Sequence, residues 1–221
     1  MCDKPNKCGC TADGGINITV TSVVDDAEQR ERLHDSEFIV VTKLAGCNFD
    51  HFATVLDEML GGYLSKLADG WNADYGTYRL VYLPAVRSQI TNEPVYDVDT
   101  MPASFGKMKY VLLFGLGSRG DFKRKGLCAF TGFTLATAAR CGAKKITYLE
   151  SPHRSTEDSV SLAGTAAIMQ CRARLLKEGS NLRSLDTIEY VARPQAKPHL
   201  LAGLDTRVPL CRACSWPEVN A

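Results

Sequence analysis

The sequence has no apolar run approaching the roughly 20 residues a helix needs to cross a bilayer, so no membrane-spanning helix is expected. It also lacks an excess of either charge. Lys and Arg number 26 against 25 Asp and Glu, a formal net charge of +1, which provides no global field for nucleic acid or an anionic lipid surface. Met1 to Gly15 is polar and has no apolar core of the secretory kind, so a cytoplasmic location is expected. The histidines, His34, His51, His153 and His199, are scattered, without His-Glu-x-x-His or His-x-His spacing, and no nucleophile and base can be paired from them. Internal repeats and low-complexity tracts are absent as well. What is present is ordinary globular usage over 221 residues, 45% apolar and 23% charged, enough for one core.

Cysteine is the exception to this plainness. There are 9, an odd number, which argues for reduced thiols rather than a disulfide framework. Cys47, Cys128, Cys141 and Cys171 sit in apolar or helical stretches and read as small buried hydrophobes. Cys2, Cys8, Cys10, Cys211 and Cys214 cluster at the two ends. Tetrahedral zinc takes four thiolate or imidazole ligands, so Cys8, Cys10, Cys211 and Cys214 would close one structural zinc site if the ends meet. The other reading is free thiols in two tails.

Strand and helix signals alternate along the chain, the pattern of an α/β domain with a partly parallel sheet. Strands are expected at Asn17–Val24, Glu37–Thr42, Tyr78–Leu83, Tyr110–Phe114, Lys145–Leu149 and Thr187–Val191, with the apolar YVLLF run at the sheet centre. Helices are expected from Asp50 to Leu60, with Phe52, Val55, Leu56 and Met59 on one face, from Asp121 to Arg140, and from Thr156 to Lys177. The last should bury Val160, Ala163, Ala167, Cys171 and Leu175. Ala85 to Lys107 reads as a long loop with room for one short element. Residues 1–15 read as an N-terminal cysteine-containing tail, 16–192 as the domain, and 193–221 as a tail rich in proline and cysteine.

The ordered set FIVVTKLAG, VLDEMLGGYLSKL, YRLVYLPA and KYVLLFGLGSRGDF resembles the N-terminal domain of the leucyl aminopeptidase family. The family's Leu-Asp-Glu…Gly-Gly signature falls on Leu56, Asp57, Glu58, Gly61 and Gly62, and its Gly-Leu-Gly on Gly115, Leu116 and Gly117. The likeness runs from about residue 16 to 192, roughly four fifths of the chain. It implies a macro-like fold, a mixed sheet flanked by helices on both faces. The family's two-metal catalytic centre belongs to a further domain, and its Asp-Ser-Gly-Gly and Asn-Thr-Asp-Ala-Glu-Gly-Arg stretches do not occur here. No residue is therefore carried over as catalytic. The resemblance implies a non-catalytic binding or interaction module, partnered by a separate catalytic subunit or by itself.

One loop suggests a different role. Gly115-Leu116-Gly117-Ser118-Arg119-Gly120 matches G-x-G-x-x-G between a strand and a helix. Glu150 lies thirty residues beyond Gly120, further than the roughly 20 of a dinucleotide fingerprint, and Asp121 puts negative charge where a pyrophosphate would dock. A more general anion site fits better. Arg119, Lys123, Arg124 and Lys125 crowd a helix start, where backbone N–H groups already favour anions. Gly115, Gly117, Ser118, Arg119, Gly120 and Lys123 are thus candidates for holding a nucleotide or ADP-ribose-like ligand, the alternative being a solvated basic face. Ser151-Pro152-His153 at a strand end reads as a turn. Trp71, Tyr75 and Tyr78 lack the interleaved basic residues of a single-stranded nucleic-acid platform.

Overall fold

Alternation along strand β2 (Phe38–Lys43) decides the architecture. Phe38 and Val40 face one side, Ile39 and Val41 the other, and all are buried. A strand apolar on both faces needs a helical layer on each. The computed structural model describes residues 16–92, 102–118, 124–149, 182 and 184–205, together with 166, 169, 170 and 173. Six strands form one sheet in the order β1-β6-β5-β2-β4-β3. The others are β1 (Asn17–Ser22), β3 (Tyr78–Tyr82), β4 (Tyr110–Gly115), β5 (Lys145–Leu149) and β6 (Thr187–Ala192). All run parallel except β3, which lies antiparallel on the outer side of β4. This is the expected macro-like α/β arrangement, with one correction: β4 is next to the edge, and β5 and β2 hold the centre. Its YVLLF run reflects burial on both faces, which any inner strand shares.

Helices α1 (Asp26–His34), α2 (His51–Met59) and α3 (Tyr63–Ala68) cover the face that carries Ile39, Val41, Val111 and Leu113. Helices α5 (Arg124–Arg140) and α6 (Lys197–Asp205) cover the opposite face, against Phe38, Val40, Leu112 and Phe114. Ala166, Met169 and Ala173 are helical and buried on that second face, at helical spacing. The positions expected to form that helix's inner face, Val160, Ala163, Ala167, Cys171 and Leu175, lie outside the residues whose side chains are described. Short helix α4 (Arg87–Thr91) interrupts the stretch read as a loop.

Helices α1, α3 and α6 were not expected from the periodicity. Helix α1 (DAEQRERLH) buries Leu33 and Gln29 but has no apolar stripe. Its start is set by Asp25, which accepts from the Glu28 N–H at 2.9 Å, while the Glu28 carboxylate accepts from the Val24 N–H at 2.9 Å. This is a capping box displaced by one residue. Helix α6 lies in the stretch read as a tail, yet its Leu200 is buried in the core and the helix packs on β1.

Polar groups enter the core in clusters, most of them paired, although the buried Tyr190 hydroxyl has no hydrogen-bond partner among the described residues. Lys145 at the start of β5 lies 2.8 Å from the buried Glu189 carboxylate and 2.9 Å from Asp35, which also binds Lys107 at 2.6 Å. Thr21 donates to Glu189 at 2.6 Å. On the other face the rings of Tyr148 and Tyr190 stack at 5.7 Å and 22°, and the Tyr148 hydroxyl meets Thr134 Oγ1 at 2.5 Å. Burial pushes both phenols well above the ordinary tyrosine value.

Candidate functional site

In a parallel sheet whose crossovers go to opposite faces, loops leaving neighbouring strands diverge and open a crevice at the carboxyl edge. Such divergences lie on both sides of β2 and between β1 and β6. Strand β2 feeds α2 on one face, while its neighbour β4 feeds α5 on the other. Strand β1 feeds α1 on the first face, while its neighbour β6 feeds α6 on the second.

The β2/β4 crevice contains the glycine loop. Gly115, Leu116 and Gly117 are buried and Ser118 is exposed. Their backbone N–H groups are already engaged: Gly115 donates to Thr77 C=O (2.8 Å), Leu116 to Lys43 C=O (2.9 Å) and Gly117 to Ala73 C=O (3.0 Å). The Ala45 N–H closes the crevice floor by donating to Gly117 C=O at 2.8 Å. A Cβ on Gly115 would stand 2.4 Å from the Asp74 carbonyl oxygen, and Gly117 has φ +71°. Close packing of the Ala73–Asp74 turn explains Gly115, and the left-handed backbone explains Gly117, neither calling for a ligand. The backbone from Gly115 to Gly117 builds the floor, and an anion here would have to be held by groups further along the loop. Arg119, Gly120 and Lys123 lie outside the described residues, as do Cys8, Cys10, Cys211 and Cys214. Among the described residues no group of three or more His, Cys, Asp or Glu is placed to hold a metal ion. Cys47 and Cys141 are free thiols, and burial raises the pKa of Cys141.

The Leu-Asp-Glu…Gly-Gly signature also has a structural explanation. The Asp57 carboxylate accepts from the Ser65 N–H at 3.0 Å and from the Ser65 hydroxyl, and the Gly62 N–H donates to Asp57 C=O at 2.8 Å. The signature makes the corner between α2 and α3. A shallow hollow of about 340 Å³ beside it is lined by Lys43, Cys47, Asn48 and Asp69 among others.

The β1/β6 divergence opens a larger cleft of about 470 Å³, lined by Val23, Val24 and Asp25 after β1, Gln29 of α1, His51 and Phe52 of α2, and 193–195 after β6. This volume lies within the range of small-molecule sites. Val23 and Phe52 give it an apolar floor, and Val24 stands at its lip 71% exposed. Polar groups surround the floor. Buried Gln29 donates from Nε2 to Phe52 C=O at 2.7 Å, fixing the amide, and His51 Nε2 lies 2.9 Å from Asp26 Oδ1. Arg193 brings a guanidinium to the opposite wall. Sequence reading did not find this cleft, because its walls come from three segments far apart in the chain. The one local signal was the capping box at Asp25, which marks a strand-to-helix turn at a carboxyl end.

No protein-family profile matches the sequence, and no curated protein matches it. Solved structures do resemble the fold. A Trypanosoma brucei macrodomain in complex with ADP superposes with a TM-score of 0.59 at 14% identity, covering 91% of this chain and 72% of that one. The T. brucei macrodomain in complex with ADP-ribose gives 0.51 at 15% identity, covering 90% and 85%. Tomato leucine aminopeptidase gives 0.50 at 14% identity over 87% of this chain, which spans only 36% of the length of that enzyme. The fold is macrodomain-like.

Proposed function

We propose that this chain binds a nucleoside diphosphate of the ADP-ribose class along the carboxyl edge of its sheet. The observation that carries this reading is the cleft of about 470 Å³ at the β1/β6 divergence, with an apolar floor and a polar rim. A flat heterocycle would rest on Val23 and Phe52 with Val24 closing over it, while Asp25 and Gln29 offer an edge of hydrogen-bonding groups. Arg193 is suited to a phosphate, since a guanidinium pairs bidentately with phosphate oxygens. The rest of an elongated ligand would run toward the β2/β4 crevice, where Ser118 is exposed beside the Gly115–Gly117 floor and the sequence continues with Arg119, Gly120 and Lys123 as candidates for its anion-binding end. The macrodomain likeness supports this reading, because neighbours of the same fold carry ADP and ADP-ribose.

Calorimetric titration of the chain with ADP-ribose and with ADP tests the proposal. Binding is expected, and Val24→Glu should weaken it roughly tenfold or more by setting a charged carboxylate at the lip where the heterocycle packs. Val24 is exposed, so the melting temperature of the free variant should not change. If neither compound binds, the proposal is wrong. If Arg119→Ala abolishes binding and Val24→Glu has no effect, the ligand sits on the glycine loop alone.

A second reading, a non-catalytic module that joins a separate catalytic subunit, is supported by the likeness to the aminopeptidase. It predicts no nucleotide binding and co-purification with a metallopeptidase.

A further inference from the structure

The two edges of the sheet are treated differently. Strand β1 has α6 packed beside it. Strand β3 has β4 on one side and, among the described residues, no strand on the other. The ladder fixes which groups point outward. Gly115 N–H donates to Thr77 C=O and Leu83 N–H to Lys109 C=O, each at 2.8 Å, and Arg79 and Val81 stand opposite Leu113 and Val111. Odd-numbered residues thus bond β4, and the N–H and C=O groups of Tyr78 and Leu80 face away from the sheet.

Natural edges are usually blunted by charge, proline or a bulge. Here the strand is regular, the first proline is Pro84, and the one charge, Arg79, is drawn back over the Trp71 ring at 5.9 Å. Apolar side chains gather at this edge instead. Tyr78 is 52% and Leu80 41% exposed, and with Tyr75 they make up three of the five exposed large hydrophobic residues among those described. Tyr78 continues onto Phe133 of α5, ring centroids 4.6 Å apart, so the apolar strip spreads over the sheet face. Neighbouring exposed apolar side chains along an edge that no described strand covers suit an interaction surface.

We propose that β3 is the seam of a homodimer in which two copies pair antiparallel about Leu80, continuing one sheet through both. The strand sequence, Tyr-Arg-Leu-Val-Tyr, complements itself in that register. Leu80 meets Leu80 on the axis, Tyr78 meets the second copy's Tyr82, and Arg79 meets the second copy's Val81. A register centred on Arg79 would set two guanidinium groups directly opposite and is disfavoured. The apolar–apolar and aromatic–aromatic cross-strand pairs, with no like charges opposed, favour a second copy over a foreign strand as the occupant.

Sedimentation of the full chain over a concentration series tests this. The wild-type chain should pass from 24.2 kDa to twice that mass as concentration rises. Leu80→Lys, a solvent-exposed change, should raise the dimer dissociation constant roughly tenfold or more by putting two ammonium groups on the axis. Leu80→Pro should do the same by removing an outward N–H that β4 does not use. Circular dichroism of Leu80→Lys should match the wild type. A wild-type chain that stays at 24.2 kDa throughout, or a dimer equally stable in both variants, overturns the proposal. So does a monomeric chain whose edge captures only peptides of unrelated sequence.

Discussion

Gly115 shows how a motif can have a structural explanation of its own. The glycine is required by a carbonyl 2.4 Å from where its Cβ would stand, not by a phosphate. Gly115→Ala must therefore push back the Ala73–Asp74 turn, at a cost of about 1–3 kcal/mol. Thermal melts should show a fall of several degrees, by the usual scaling for a chain of this size, whether or not ligand is present. Asp57 is a second such case. Asp57→Ala removes a carboxylate that caps α3 through Ser65, and should cost about 1 kcal/mol in denaturant titration. Both residues were legible in the sequence as signatures. Their work was not, because the partners Ala73, Asp74 and Ser65 become neighbours only after the chain folds.

At the scale of elements, strands were easy, while helices α1, α3 and α6 were not. Strands β2, β4, β5 and β6 announce themselves by short apolar runs bounded by turns, since burial on both faces leaves no choice of residue. Helix α1 buries one large apolar side chain and relies on caps, so periodicity has nothing to detect. Helix α6, with Pro198 in its first turn, looks like the proline-bearing tail around it. Leu200→Ala should cost about 2–3 kcal/mol, which would show that this helix belongs to the cooperative core. The ion cluster linking β5, β6 and the α1–β2 turn makes a pH prediction. Hydrogen bonds from Lys107 and then Lys145 hold Asp35 below the ordinary aspartate range. A carboxyl whose folded pKa is depressed contributes stability above its unfolded value, about 3.9, and loses it as the pH falls through the folded value. Asp35→Asn should thus be less stable than wild type at neutral pH, by about 0.2–1 kcal/mol because the group is largely exposed. That deficit should close as the pH falls below 4 or so in parallel urea titrations. Lys145 behaves differently. Burial opposes its charge, but Glu189 and Asp35 outweigh that and raise its pKa. Lys145→Ala leaves the Glu189 carboxylate buried without its cation, and about 3 kcal/mol should be lost.

For the whole molecule, the order of strands and helices was enough to give the fold class, because alternating elements with short connections leave few topologies. The groove was not legible. Its walls at 23–25, 51–52 and 193–195 share no local pattern and meet only because β1 and β6 are neighbours that send their crossovers to opposite faces. The stacked tyrosines lie on the α5/α6 face of the sheet, and they give the intact chain an optical property. Burial pushes both phenols well above the ordinary tyrosine value in the folded chain, whereas in the unfolded chain both ionise near pH 10. The unfolded state therefore releases protons first, and stability falls as the pH rises past that point. The phenolate absorbance of these two rings should appear as a late, slow component after an alkaline jump, at the rate of global unfolding, making them a built-in clock for how often the core opens.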